Sequence, residues 1–216
     1  MQQGLFLLWA LSLGASVLAL LYLEISLVRN GKFKSHRQLT GGDLARQILD
    51  RNHLNRMTIG AVSVRRTVHF GVGLDRFLLR KKVYYGSRLA DLAVVLHETA
   101  HLLEESHALI PLEWRAKSAR MFQGIVGASL LFILTGLFLA PLGWLSVFGQ
   151  GLFVIVFFIA LVSLGEEAEI TERALTNLSL LEGFGTDERV RIRRLLKALR
   201  WSPIAELLRN LCPIKI

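Results

Sequence analysis

The sequence predicts a mostly helical α+β membrane protein, with three transmembrane helices and a small cytoplasmic domain that contains a short sheet. The first observation behind this prediction is composition, since the 216 residues are 52% hydrophobic and have a mean hydropathy of +0.44, which is too apolar for an ordinary soluble domain. The second is segregation of charge. Residues 1–23 and 121–164 contain no Asp, Glu, Lys or Arg, whereas all 26 Lys and Arg lie in 29–120 and 165–216.

The N-terminal segment, residues 1–28, is predicted to be a transmembrane anchor. Leu5 to Leu23 is apolar and is long enough to cross about 30 Å of hydrocarbon. A cleaved signal peptide is the alternative, but its start should be positively charged, and Met1-Gln2-Gln3 has no charged side chain. Basic residues follow the apolar run instead, so the positive-inside rule predicts that the anchor leads into the cytoplasm.

Residues 29–120 are predicted to form a cytoplasmic domain that begins with a short helix and a sheet. Thr40 and Asp43 resemble a capping box before an amphipathic helix that ends near Asn52. Apolar and polar residues then alternate loosely from Met57 to Val83, which predicts two or three strands. The edge of this sheet could bind a peptide backbone, or the sheet could only cover the helix that follows.

The motif His97-Glu98-Thr99-Ala100-His101 is the main functional signal in the chain. Two histidines four residues apart lie on one face of a helix, so both imidazoles can reach one metal ion. The glutamate next to the first histidine can hold a water on that metal. This HExxH pattern predicts a zinc site with Glu98 as the general base of a hydrolase. His69 and Tyr85 are further candidates, as groups that stabilise an oxyanion.

Residues 121–164 are predicted to form a transmembrane hairpin. Two apolar spans, 121–139 and 142–164, are joined at Ala140-Pro141-Leu142-Gly143, and this connection is too short for anything but an antiparallel pair. Residues 120 and 165 therefore emerge on the same side, which the Lys and Arg distribution predicts to be cytoplasmic.

A third zinc ligand is needed, and the residues themselves leave two candidates. The spacing of His97, His101 and His107 matches a pattern in which a glycine lets the chain fold back, but Glu104 stands at that glycine's position. A helix that continued would turn His107 roughly 80° away from the metal face. The alternative is the carboxylate cluster that follows the hairpin, which consists of Glu166, Glu167 and Glu169. Helical geometry favours this cluster over His107.

The last segment, residues 165–216, is predicted to be cytoplasmic, with a helix that carries the third ligand followed by basic amphipathic helices. Six cations between Arg189 and Arg200 alternate with apolar residues, which is typical of a helix lying on an anionic membrane surface. Nucleic acid is a weaker interpretation of the pI of about 10.3, because aromatic residues do not alternate with the basic ones.

The sequence resembles the bacterial neutral zinc metallopeptidases of the YugP-like type, across most of residues 39–178. The resemblance is carried by Leu39-Thr40-Gly41, Leu44-Ala45-Arg46, Thr67, His69, Phe70, Val83-Tyr84-Tyr85-Gly86, Ala93-Val94, His97-Glu98, Leu161-Val162-Ser163-Leu164, Glu167 and Arg173-Ala174-Leu175. It implies that Glu167 is the third ligand, as in the broader gluzincin group with its HtpX-like proteases. The sequence departs from the family pattern at Val68, Gly71, Lys81-Lys82 and Ala100.

These observations together predict a multi-pass protein of the bacterial inner membrane, with a zincin-type domain on the cytoplasmic side. Its cofactor would be Zn²⁺, held by His97, His101 and Glu167, and its partners would be membrane lipid and a protein or peptide substrate, with no nucleic acid. Two other functions stay open. One is a zinc-binding membrane scaffold without catalysis. The other is an intramembrane protease, although Asp91, Glu104 and Glu105 bracket too short an apolar run for a span through the motif.

Overall fold

The computed structural model describes residues 2–63, 68–71, 76–105 and 112–209, with the side chains of all of these except 68–71, 105, 112–120 and 140. The described chain is mostly helical and contains a small sheet, which confirms this part of the predicted fold class. Its helices are α1 (Gln2–Gly31), α2 (Gly41–Arg51), α3 (Lys81–Tyr84), α4 (Leu89–Glu105), α5 (Leu112–Phe138), α6 (Gly143–Leu180), α7 (Thr186–Leu199) and α8 (Ser202–Arg209), and a 3₁₀ turn, Ala140–Leu142, joins α5 to α6.

The sheet has three strands, β1 (Thr58–Val62), β2 (Val68–Gly71) and β3 (Arg76–Arg80), in the order β1-β3-β2. The central strand β3 runs parallel to β1 and antiparallel to β2. Phe77 and Leu79 of β3 are fully buried. The prediction that the strand pattern continues to Val83 is wrong, because the chain turns into α3 after Arg80 and buries Val83 from a helix.

Two compact units make up the chain. The hairpin unit comprises Met1–Leu23, Lys117–Glu166 and Trp201–Ile216, and the sheet unit comprises Glu24–Ala116 and Glu167–Arg200. Each unit draws on segments far apart in sequence, so neither corresponds to a continuous stretch of chain.

Three helices of the described chain are long and apolar enough to cross a membrane: α1, the part of α5 from Met121 to Phe138, and α6. Within the hairpin unit, α5 and α6 approach each other closely at two glycines. A Cβ atom on Gly136 would lie 2.3 Å from the backbone nitrogen of Ser146, and one on Gly149 would lie 2.5 Å from the carbonyl oxygen of Ser129. Small residues at such contacts let helix backbones pack directly, which is the usual way that helices associate in lipid.

The sheet unit is built around α4. Leu92, Ala93, Val95, Leu96 and Ala100 of this helix have no solvent exposure, since α2, α3 and α7 all pack against it. The predicted capping box at the start of α2 is confirmed, with Thr40 and Asp43 each accepting a hydrogen bond from the other's backbone nitrogen. This capping satisfies two backbone donors that a helix start otherwise leaves without partners.

The apolar face of α7 also belongs to the core of the sheet unit. Ile192, Leu195, Leu196 and Ala198 have no solvent exposure, and the helix packs on α4. The prediction that this amphipathic face lies on the membrane is therefore wrong, because the same 3.6-residue periodicity serves equally well to bury a helix against protein. Arg193, Arg194, Lys197 and Arg200 remain exposed on the opposite side.

Candidate metal centre

The HExxH motif lies in the third and fourth turns of the buried helix α4. His97 is buried and His101 is mostly buried, with 7% and 16% of their side chains exposed. Their rings lie on the same face of the helix, with centroids 4.8 Å apart and planes at 87°. The four-residue spacing thus brings two imidazoles to one point, as the helical repeat requires.

A carboxylate from α6 meets these two imidazoles. The Oε2 atom of Glu167 lies 3.3 Å from Nε2 of His97, and its Oε1 atom lies 3.5 Å from Nε2 of His101. One ligand atom from each of the three residues can be chosen so that all lie within 4.8 Å of one another, and this is the one such group among the described residues. The neighbouring carboxylates Glu166 and Glu169 are exposed and are not members of it.

The donor atoms and their separations fit zinc. Zinc bonds of about 2.0–2.2 Å in a tetrahedral arrangement place neighbouring ligand atoms roughly 3.3–3.5 Å apart, and the two nitrogen–oxygen separations to Glu167 fall in this range. Oε2 of Glu167 is buried without a hydrogen-bond partner, which a metal bond would provide. Two imidazoles and one carboxylate leave the fourth position open for a water, as catalytic zinc sites do.

Glu98 lies next to His97 on α4 and is half-buried. Desolvation of its carboxyl raises its pKa, and the nearby His101 and His97 partly oppose this shift. Arg80, at the end of β3, is also near enough to interact electrostatically with the Glu98 carboxylate. A carboxylate with a raised pKa is a better proton acceptor near neutral pH than an ordinary surface glutamate.

Several side chains hold the end of α6 in the sheet unit. Arg173 lies six residues after Glu167 on α6, and Glu104 lies three residues after His101 on α4. The two side chains form an ion pair at 2.5 Å. Arg189 donates hydrogen bonds to the carbonyl oxygen of Leu178, in the last turn of α6, and to that of Leu181, the first residue after α6. A cation at these carbonyls also compensates the negative end of the helix dipole. These contacts fix the part of α6 that continues from Glu167.

The other candidates from the sequence are an exposed tyrosine and two histidines whose side chains lie outside the described residues. Tyr85 follows α3, is 68% exposed, and has its ring against Tyr84. The backbone of His69 pairs with Leu78 in the sheet, but its side chain lies outside the described residues, as does the whole of His107. Sequence reasoning missed Arg80 and the pair of Glu104 with Arg173. A charged residue directly after the apolar strand 77–79 was the available signal for Arg80.

Comparisons with known proteins agree with this chemistry. A family model described as "Putative neutral zinc metallopeptidase" matches residues 5–214. A relative from Bacillus subtilis (strain 168), named "Putative membrane protease YugP", is 29% identical over 175 residues, which cover 80% of this chain and 76% of the relative. No solved structure matches the chain.

Proposed function

The chain belongs to the putative neutral zinc metallopeptidase family, and we propose that it is a membrane-anchored enzyme that hydrolyses peptide bonds. The observation that carries this proposal is the convergence of two imidazoles from α4 and one carboxylate from α6 next to Glu98. We propose His97, His101 and Glu167 as the zinc ligands. In this arrangement, the sheet unit is a zincin-type domain in which a short sheet accompanies the HExxH helix.

Zinc at this centre would supply a water of lowered pKa and would polarise the substrate's carbonyl group. Glu98 then acts as the general base, taking a proton from this water as the water attacks the peptide carbonyl carbon. Glu98 afterwards delivers the proton to the leaving amine, so that it serves as base and acid in turn. The raised pKa of Glu98 suits both roles, because its carboxyl can hold the proton between the two steps.

A zinc-binding scaffold without catalysis is the second candidate. It would use the same three ligands, but it would not need a half-buried carboxylate with a raised pKa beside them. His69 and Tyr85 stay predictions as oxyanion-stabilising groups. An intramembrane protease is disfavoured, because α4 is in the core of the sheet unit together with α2, α3 and α7 and is not one of the three helices that are apolar enough to span a membrane.

The direct test uses full-length protein purified in detergent. We expect about one zinc per chain by elemental analysis, and cleavage of a broad panel of denatured proteins that stops on removal of zinc with a chelator and returns when zinc is added back. Zinc binding without cleavage of any substrate would support the scaffold. Absence of zinc binding would contradict both functions.

We also propose that residues 29–120 and 165–216 are cytoplasmic, in the inner membrane of a bacterium. The segregation of all 26 Lys and Arg supports this topology. In a Cys212→Ser background, a membrane-impermeant thiol reagent applied to intact cells should label Pro141→Cys and should not label His36→Cys. Both positions are exposed, so burial does not explain a difference. Lysed cells serve as the control in which both are labelled, and the reverse pattern in intact cells would overturn the topology.

A further inference from the structure

Among the buried polar atoms that have no hydrogen-bond partner in the structure, two belong to the helices α4 and α6 that carry the proposed zinc ligands. They are Nδ1 of His97 and Oγ1 of Thr171, in residues with 6% and 3% exposure. Both residues belong to the sheet unit. Native proteins pair nearly all such atoms, so each exception calls for an explanation.

The hydroxyl of Thr171 lacks the backbone hydrogen bond that most hydroxyls in the described helices make. A hydroxyl inside a helix commonly donates back to the carbonyl oxygen three or four residues earlier. Thr99 does so to Val95, and Thr176, on the same helix as Thr171, does so to Glu172. The hydroxyl of Thr171 makes no such bond although it is buried, so it is available to a group on another element.

His97 has the complementary requirement. Its Nε2 atom faces Glu167, which leaves Nδ1 as the remaining ring nitrogen. A histidine that binds a metal through one nitrogen almost always donates the N–H of the other to an acceptor, and this fixes the tautomer and the ring orientation. A threonine hydroxyl oxygen is a suitable acceptor.

The helical repeat places Thr171 suitably for this role. It follows Glu167 by four residues, so the two share a face of α6, one turn apart. That face meets α4, because Glu167 contacts both histidines and Thr171 is buried one turn further along it.

We propose that Thr171 is a positioning residue of the zinc centre, whose hydroxyl receives the hydrogen bond of Nδ1–H of His97 through one bridging water. This inference rests on the proposed function, since it gives the hydroxyl a purpose in holding a zinc ligand. The hydrogen bond keeps the proton on Nδ1 and leaves the Nε2 lone pair directed at the metal. Thr171 touches neither substrate nor metal.

The first test measures zinc affinity of the full-length protein by competition with a chelator. Thr171→Val keeps the shape of the side chain and removes the hydroxyl, whereas Thr171→Ser keeps the hydroxyl. We expect about 10- to 100-fold weaker binding for Thr171→Val, the usual cost of losing such a partner, and near wild-type binding for Thr171→Ser. The matched control is Thr176→Val on the same helix, with an exposed hydroxyl bonded to its own backbone. Wild-type affinity in Thr171→Val would overturn the proposal.

The second test needs no zinc and separates this inference from the proposed function. In metal-free protein labelled with ¹⁵N-histidine, the Nδ1–H proton of His97 should exchange slowly with solvent, and its signal is assigned by its loss in His97→Gln. We expect the protected signal to vanish in Thr171→Val and to persist in Thr171→Ser. An unchanged signal in Thr171→Val would overturn the hydrogen bond. If wild-type protein binds no zinc, the proposed function fails, and this spectrum still decides whether Thr171 holds His97.

Discussion

Replacement of Glu98 by glutamine is expected to abolish peptide cleavage and to leave zinc bound. The side chain lies beside the ligand face of α4 and is not a member of the His97, His101 and Glu167 group. Glutamine keeps its size and most of its hydrogen bonding but cannot accept a proton from the attacking water. Loss of a general base typically lowers a rate by about 10²- to 10⁴-fold, so cleavage should fall to the limit of detection.

The measurement pairs zinc content with cleavage rate on one preparation of Glu98→Gln. The matched control is Glu169→Gln, which makes the same chemical change at an exposed carboxylate two residues from Glu167. The control should bind zinc and cleave as wild type does. Retained cleavage in Glu98→Gln would remove Glu98 from the mechanism, and loss of zinc would show that its role is in binding.

Removal of a proposed ligand should have a different signature. His97→Ala or Glu167→Ala deletes a direct bond to the metal, so zinc and cleavage should be lost together. The fall in zinc affinity should exceed the ~100-fold that marks the upper range for loss of a supporting hydrogen bond. Elemental analysis after dialysis and the chelator competition both measure this loss.

Glu166→Ala provides the control for the carboxylate ligand. Glu166 is exposed and adjacent to Glu167 on the same helix but is not a member of the group of possible ligands, so this variant should keep its zinc. If Glu167→Ala kept zinc with wild-type affinity, the third ligand would come from elsewhere. His107→Ala would then be the next variant to examine.

The sequence predicted the elements whose spacing is set by helical geometry. The histidines four residues apart fall on one face of any α-helix, and the charge-free stretches 1–23 and 121–164 coincide with parts of the three apolar helices. The residues alone left three carboxylates open after the hairpin. The spacing of Glu166, Glu167 and Glu169 shows how they are arranged around α6, but not how α6 is rotated against α4, which depends on packing such as the Arg173–Glu104 pair.

The amphipathic helix α7 shows a second limit of sequence reasoning. A stripe of leucine and isoleucine next to arginines can pack against a lipid surface or against a protein core. Both environments remove the same apolar area from water, so the sequence pattern does not distinguish them. The structure distinguishes them, because α7 packs against α4 and buries its apolar face there. The sequence did not identify Thr171 as a candidate positioning residue for a similar reason. Its burial and its missing backbone hydrogen bond are visible only in the structure.

The order of the proposed ligands along the chain has a consequence for biosynthesis. His97 and His101 precede the hairpin helices and Glu167 follows them, so a chain still being translated holds two ligands until the last turns of its apolar segment have been made. Two imidazoles alone do not complete a catalytic zinc centre. On the proposed function, assembly of the zinc centre would therefore wait for synthesis of the hairpin, and an emerging chain would not hydrolyse its neighbours before these two helices exist.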